Sequence, residues 1–230
     1  CAAATQRTHW SYHTEPDAGL PGRVINYPRG RVIGGSSSIN AMLYLRGQAR
    51  DYDEWAQLTG DSGWSWANVL PIFMKSEDSW RGADEKHGQG GELRVETPKL
   101  RWEILESFAE AAVESGIPKT DDFNRGDNEG VGRFDVNQKG GVRWSAAKAF
   151  LRPAMSRPNL TVMTGVHVKK LRLEGRRATG IEFYRDNAEQ FAEARRETIL
   201  SAGAIGSPQI LELSGIGDGA LLQKHGIAVA

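Results

Sequence analysis

One stretch, Pro28-Arg-Gly-Arg-Val-Ile-Gly-Gly-Ser-Ser-Ser-Ile-Asn-Ala-Met-Leu-Tyr-Leu-Arg-Gly47, constrains this chain more than any other. The paired glycines Gly34 and Gly35 permit positive φ and let backbone come close to a ligand. Ser36, Ser37 and Ser38 follow, small hydroxyl residues suited to capping a helix whose N-terminus attracts an anion. Ile39, Met42 and Leu43 then continue as an apolar helical stripe. The expected structure is a cradle for a phosphate-bearing or otherwise extended cofactor, closed by a buried helix. A Gly-Gly-Ser-Ser run alone is equally what an ordinary flexible loop contains, so the surrounding residues have to decide.

Composition removes several classes. Lysine plus arginine number 29 and aspartate plus glutamate 29, so no overall field favours nucleic acid. A single cysteine, Cys1, excludes an internal disulfide framework and points to the cytosol. No apolar run has the length of a membrane span, and no signal-peptide pattern opens the chain. The expected localisation is therefore cytoplasmic, or peripheral to the membrane. A length of 230 residues suffices for one large domain or two smaller ones.

Along the chain, residues 1–26 read as irregular. His9 and His13 have metal-ligand spacing, but Pro16 and the lack of an apolar stripe argue against a helix and for a surface segment. Asp51–Leu58 reads as a short helix with Asp51 as N-cap and Trp55 on its buried side. Ser65 can cap a helix carrying Val69, Leu70, Phe73 and Met74, kinked or started late because of Pro71. Trp55, Trp64 and Trp66 read as core. Residues 79–91 are a polar, glycine-rich boundary in which His87 is a loop residue, and Leu93–Thr97 alternates as a strand.

Arg101–Ser115 is the clearest helix, with Ile104, Leu105, Phe108, Ala109, Ala112 and Val113 as a stripe that should cover a sheet. Gly116 and Pro118 end it. Asp121, Asp122, Asn124, Asp127 and Glu129 lack the spacing of a calcium loop and read as a solvated loop. Arg143–Leu151 is expected to be a short helix ending before Pro153. Strands are expected at 160–164, 166–173, 178–184 and 197–200, the middle two forming a hairpin across 174–177. A helix then opens at Gly206, with Pro208 in its first turn.

Several of these pieces stand in a recognisable order. Tyr12-His-Thr-Glu-Pro16, Pro28-Arg-Gly-Arg31, Gly34-Gly-Ser-Ser37, Asn40-Ala-Met42, Arg46-Gly47, Asp51-Tyr-Asp-Glu-Trp55 and Gly63-Trp-Ser65 come first. Ser201-Ala-Gly-Ala-Ile-Gly-Ser-Pro-Gln-Ile-Leu211 and Ser214-Gly-Ile-Gly217 follow far downstream. The series resembles the two signatures of the glucose–methanol–choline (GMC) family of flavin oxidoreductases, in its choline dehydrogenase-like branch of bacterial alcohol dehydrogenases.

The resemblance implies an α/β fold, α+β overall: part of a GMC-type FAD-binding domain with a substrate domain of antiparallel sheet covered by helices. Residues 1–78 and 153–230 would belong to the FAD-binding domain and 79–152 to the substrate domain. Arg31, Gly34, Gly35 and Ser36 would bind the cofactor, the last three along its pyrophosphate and ribityl chain. Asn40, Ala41 and Met42 would lie beside the flavin ring. The backbone of Val168 would recognise adenine, and Ala202 and Gly203 would lie beside the ADP moiety. The 34–38 turn and the 201–203 strand end should therefore converge. FAD should be non-covalent, because Asn40 stands where some relatives carry a histidine able to bond the flavin.

The implied reaction is oxidation of a small primary alcohol, choline-like, aliphatic or aromatic, to an aldehyde by hydride transfer to flavin N5. The electron acceptor stays open. A hydroxynitrile lyase-like enzyme of the same fold and a catalytically inactive fragment are the alternatives. The family's Gly-x-Gly-x-x-Gly turn would precede Cys1 and its histidine pair would lie beyond Ala230, so the resemblance implies an internal fragment. No catalytic residue and no metal ligand is expected within it, and by itself it should hold FAD weakly and not turn over.

Overall fold

The computed structural model describes residues 7–230. The chain divides into two compact units, one running to Leu160 and the other from Thr161 to Ala230. Helices and short strands mix throughout, and no described helix is long and apolar enough to cross a membrane.

The first unit opens with β1 (Tyr12–His13) paired antiparallel to β2 (Asn26–Tyr27). His9 bridges to Gly30 rather than sharing a helix face with His13. The expected buried helix after the paired glycines does not form. A 3-10 turn, Gly35–Ser38, ends at Ile39, the backbone reverses at Met42 (φ 66°), and β3 (Leu43–Tyr44) pairs with β6 (Asp135–Val136). Tertiary pairing with a strand more than ninety residues away (from Leu43 to Val136) overrides the helical spacing.

Helix α1 (Ala49–Thr59) starts earlier than expected, at the Gln48 cap. Asp51 is in its first turn, with its carboxylate accepting the Gln48 N–H at 2.8 Å. Helix α2 (Trp66–Ser76) follows Ser65 and starts on time, accommodating Pro71 inside. Trp55 and Trp64 are not core, being 49% and 46% exposed, whereas Trp66 is half-buried. The first two pack edge-on with centroids 5.9 Å apart, and Tyr52 stacks on Trp66.

β4 (Glu77–Ser79) and β5 (Leu93–Val95) form a parallel pair around the loop that contains His87. Gly88 passes so close to the end of α2 that a Cβ would run into the Met74 carbonyl. Helix α3 (Glu103–Glu114) forms as expected, yet buries no residue. Ile104 is 71% exposed and Phe108 69%. The expected covering of a sheet is thus not observed. β7 (Gln138–Lys139) and β8 (Val142–Arg143) make a tight hairpin. A π-helical turn, Ala147–Leu151, then runs into α4 (Arg152–Ala154), so the helix continues through Pro153 instead of stopping before it. The apolar core of this unit includes Val69, Val95, Phe123, Val136, Ala147 and Ala149.

The second unit is an antiparallel sheet, ordered β11-β10-β9, with two helices. β9 (Val166–Glu174) and β10 (Arg177–Arg185) are the expected hairpin. β11 (Ala188–Glu193) was not foreseen; it follows Asp186 and Asn187, both with positive φ, the conformation of a two-residue hairpin turn. Segments 160–164 and 197–200 form no strand because neither has a neighbouring strand to complete its hydrogen bonds. α5 (Gly203–Leu213) begins three residues before the expected Gly206, leaving Pro208 inside it, and α6 (Gly219–Lys224) follows. Helix α5 packs on β9, and the Ser214 hydroxyl accepts the Leu171 N–H at 2.8 Å. Leu171, Phe183, Ile210 and Leu222 are buried here.

Candidate functional site

The glycine turn is built from inside. Gly34 has φ 93° and Gly35 φ 54°, a left-handed pair that few other residues adopt. A Cβ on Gly30 would collide with the backbone of Gly35, so the two strands of the turn touch backbone to backbone. The serines do not cap a helix as expected. Ser37 Oγ donates to the Gly34 carbonyl at 2.5 Å, and Ser38 Oγ donates to the Ile33 carbonyl at 2.9 Å. Ser36 Oγ accepts the Gly30 N–H at 3.1 Å, which leaves its own proton available to a ligand. Arg31 is exposed, with its guanidinium 5.0 Å above the Trp10 ring.

A second segment braces this turn from behind. Ser37 Oγ accepts the Ala146 N–H at 3.0 Å, and Arg143 Nη1 donates to the Ser37 carbonyl at 3.2 Å. The same Nη1 donates to Asn40 Oδ1 at 2.9 Å, and the Met42 N–H donates to that oxygen at 3.0 Å. Met42 holds φ 66° through this bond and through its carbonyl, which accepts the Asn137 N–H at 2.8 Å. Positive φ on a side chain of this size is strained, and such strain persists only where surrounding bonds over-determine it. Lys148 Nζ in turn donates to the Arg143 carbonyl. Gly34, Gly35, Ser36, Asn40, Ala41 and Met42 are thus one continuous exposed or half-buried surface, with Arg143 and Ala146 behind it. Sequence reasoning does not reach the individual bonds of this brace. Its signal is the Arg143-Trp-Ser145 segment, which reads as the start of a helix and resembles a family segment that feeds back from the substrate domain towards the flavin domain.

Just beyond Met42 lies a buried ionic quartet. Arg46 Nη2 meets Glu77 Oε2 at 2.9 Å, and His87 Nδ1 lies 3.1 Å from both Glu77 oxygens. His87 Nε2 lies 2.8 Å from Asp122 Oδ2. His87 is 1% exposed, so burial of these charges is tolerable only because two cations and two anions cancel and the remaining sites are bonded. The Gly88 N–H donates to Glu77, Arg46 Nη1 donates to the Lys86 carbonyl, and the Arg46 N–H donates to Asn124 Oδ1. Hydrogen bonds to Asp122 and Glu77 raise the His87 pKa to about 9 against its burial. Burial works to raise Asp122, but the His87 and Asn124 hydrogen bonds outweigh it and hold that carboxyl at about 2. Burial pushes the Tyr44 hydroxyl up to about 12 despite Arg46 beside it.

His87 is therefore a loop residue, as expected, but one at the centre of the unit. Both its nitrogens donate, so it has no lone pair with which to act as a base. Asp122 and Asn124 correct the solvated-loop expectation for 121–129, since both are buried while Asp121, Asp127 and Glu129 are exposed. No group of acidic, histidine and cysteine residues arranged to hold a metal occurs among the described residues.

In the second unit Val168 is a half-buried β9 residue paired with Phe183. Ala202 caps α5, its N–H donating to Ser207 Oγ at 3.0 Å, and Gly203 opens the helix with φ 84° and open space where a Cβ would be.

Comparison with known proteins places this geometry in context. The family described as GMC oxidoreductase matches residues 5–226. The mitochondrial choline dehydrogenase of Homo sapiens is 47% identical over 97% of this chain and 37% of its own. The oxygen-dependent choline dehydrogenase of Brucella anthropi is 44% identical over 96% of this chain and 40% of its own. The crystal structure of pyridoxine 4-oxidase from Mesorbium loti superposes with a TM-score of 0.93 at 36% identity, over 99% of this chain and 45% of that one. The chain thus spans 37–40% of the length of these two curated relatives.

Proposed function

This chain belongs to the GMC oxidoreductases, and from that premise we propose that it forms the cofactor-holding part of an FAD-dependent dehydrogenase of primary alcohols. The observation that carries the reading is the exposed turn at 34–42. Its left-handed glycines bare the backbone, Gly35 has open space beside it, and Ser36 keeps a proton to donate. Neutral N–H and O–H donors on bare backbone suit a pyrophosphate and a ring edge rich in acceptors, so the residues present fit FAD.

When bound, FAD supplies the hydride acceptor for oxidation of an alcohol carbon. Gly34, Gly35 and Ser36, with Arg31, would hold its phosphate and ribityl portion, and Asn40, Ala41 and Met42 would line the ring. Val168, Ala202 and Gly203 would hold the ADP half. Asn40 is an amide and forms no covalent link, so the cofactor is held by hydrogen bonds and packing. Residues 79–152 would contribute to the substrate domain, with 1–78 and 153–230 in the cofactor domain. His87 is not assigned the role of base, because carboxylates occupy both its nitrogens.

The relatives' names favour a choline-like alcohol, and the structural neighbour's name a pyridine methanol. The test is the visible spectrum of the protein expressed at the full length of its coding sequence, followed by anaerobic addition of choline or pyridoxine. A yellow protein bleached by one of them supports the reading. A flavoprotein that cleaves a cyanohydrin without bleaching would favour the lyase, and a colourless protein would overturn both.

A further inference from the structure

The amide of Asn40 has an orientation that the surrounding bonds decide. Its Oδ1 accepts from the Met42 N–H at 3.0 Å and from Arg143 Nη1 at 2.9 Å. Those two donors use both lone pairs of a carboxamide oxygen. An amide flipped by half a turn would set its NH2 against the guanidinium and a backbone N–H, donor against donor, so the network admits one orientation only. The Nδ2 group is then left on an exposed residue with no bond to any described residue. Arg143 is held in turn: its carbonyl accepts from Lys148 Nζ at 2.9 Å, and its guanidinium is also bonded to the Ser37 carbonyl.

We propose that Arg143 is a positioning residue that locks the Asn40 side chain with its NH2 outward, as a fixed hydrogen-bond donor to an acceptor atom of the bound flavin. The inference rests on the reading that FAD lies along residues 34–42. It goes beyond that reading in naming which end of the amide faces the cofactor and which residue, far along the chain, sets it. A freely rotating amide would have to lose its rotational freedom when FAD binds, whereas here the brace has already restricted it. A donor aimed at the acceptor edge of the ring also favours the electron-rich, reduced ring.

The test uses the protein expressed at full coding length, stripped of flavin and titrated with FAD, reading dissociation constant, visible absorption spectrum and reduction potential. Asn40→Asp keeps the acceptor for Arg143 and the Met42 N–H but has no proton to donate. Arg143→Met removes the lock and leaves the amide free to turn. Both are expected to weaken FAD binding about tenfold, to shift the flavin absorption band and to lower the reduction potential. Arg143→Lys, which retains one donor, should restore part of each. If Asn40 serves only to brace the turn, Asn40→Asp will bind FAD as the unsubstituted protein does, with an unchanged spectrum, and the proposal is wrong. It is equally wrong if Arg143→Met alters the thermal midpoint but leaves spectrum and potential where they were. A full-length protein that takes up no FAD overturns the functional reading and this inference with it. Normal uptake with indifferent variants overturns the inference alone.

Discussion

Two carboxylates hold the ring of His87, one at each nitrogen, so both nitrogens carry protons and the ring is a cation. Its folded pKa of about 9 lies above the ordinary 6.5. The stability it contributes is complete below pH 6.5 and is lost as pH rises through about 9. Asp122 has the opposite sign: held at about 2 from an ordinary 3.8, it contributes above 3.8 and fails as pH falls through about 2. Urea titrations should therefore show a fall in midpoint on the alkaline side that His87→Gln abolishes. That substitution removes the cation shared by buried Glu77 and Asp122, leaving Glu77 to Arg46 and Asp122 to the more distant Arg125, and should cost about 3–5 kcal/mol at neutral pH. An alkaline limb that persists unchanged in His87→Gln would contradict the assignment. Gly88→Ala tests the packing behind the ring, because its Cβ would meet the Met74 carbonyl. A loss of about 1–3 kcal/mol is expected, measured in the same titrations.

Single elements show where local sequence speaks and where it is overruled. Helix α3 carries its apolar stripe as its spacing requires, but the stripe faces outward. Phe108→Ala should accordingly cost under about 1 kcal/mol in chemical denaturation of this 230-residue chain. A loss of about 3–5 kcal/mol, the value for a buried phenylalanine, would mean that something covers the helix in solution. In α5 the buried anchor is Ile210, and in α6 it is Leu222, 2% exposed. Leu222→Ala should cost about 2–5 kcal/mol and speed hydrogen exchange in β9 and α5 if the second unit unfolds as one. Pro71 and Pro153 neither delay nor stop a helix as their sequence positions suggest, but sit inside helical segments, and Pro208 lies within α5, which starts three residues earlier than its expected first turn.

Across the whole chain, charge is balanced at 29 against 29 while large apolar side chains lie exposed on α1, α2 and α3, Leu58, Ile72 and Phe108 among them. A chain with little net charge and so many uncovered apolar residues should associate. Sedimentation of the isolated 230-residue chain is expected to show concentration-dependent species and binding of an apolar fluorescent dye. A monodisperse monomer that binds no dye would show these faces to be covered.

The residue pattern by itself determined the family, through two motif series in order along the chain, and also the glycine turn, helix α3 and the β9–β10 hairpin, because each of these three rests on neighbours a few positions apart: a left-handed glycine pair, an apolar stripe, a two-residue turn. Only the tertiary structure decided that Ile39–Leu43 forms no helix and that Leu43–Tyr44 pairs as a strand with Asp135–Val136. It alone brought Arg143 to Asn40 and joined Arg46, Glu77, His87 and Asp122. The physical reason is separation. A hydrogen bond or ion pair between residues thirty to a hundred positions apart (Arg46 to Glu77, Asn40 to Arg143) depends on where the intervening chain returns. No local periodicity encodes that return, and the cost of burying each charge is recovered only once its partner has arrived.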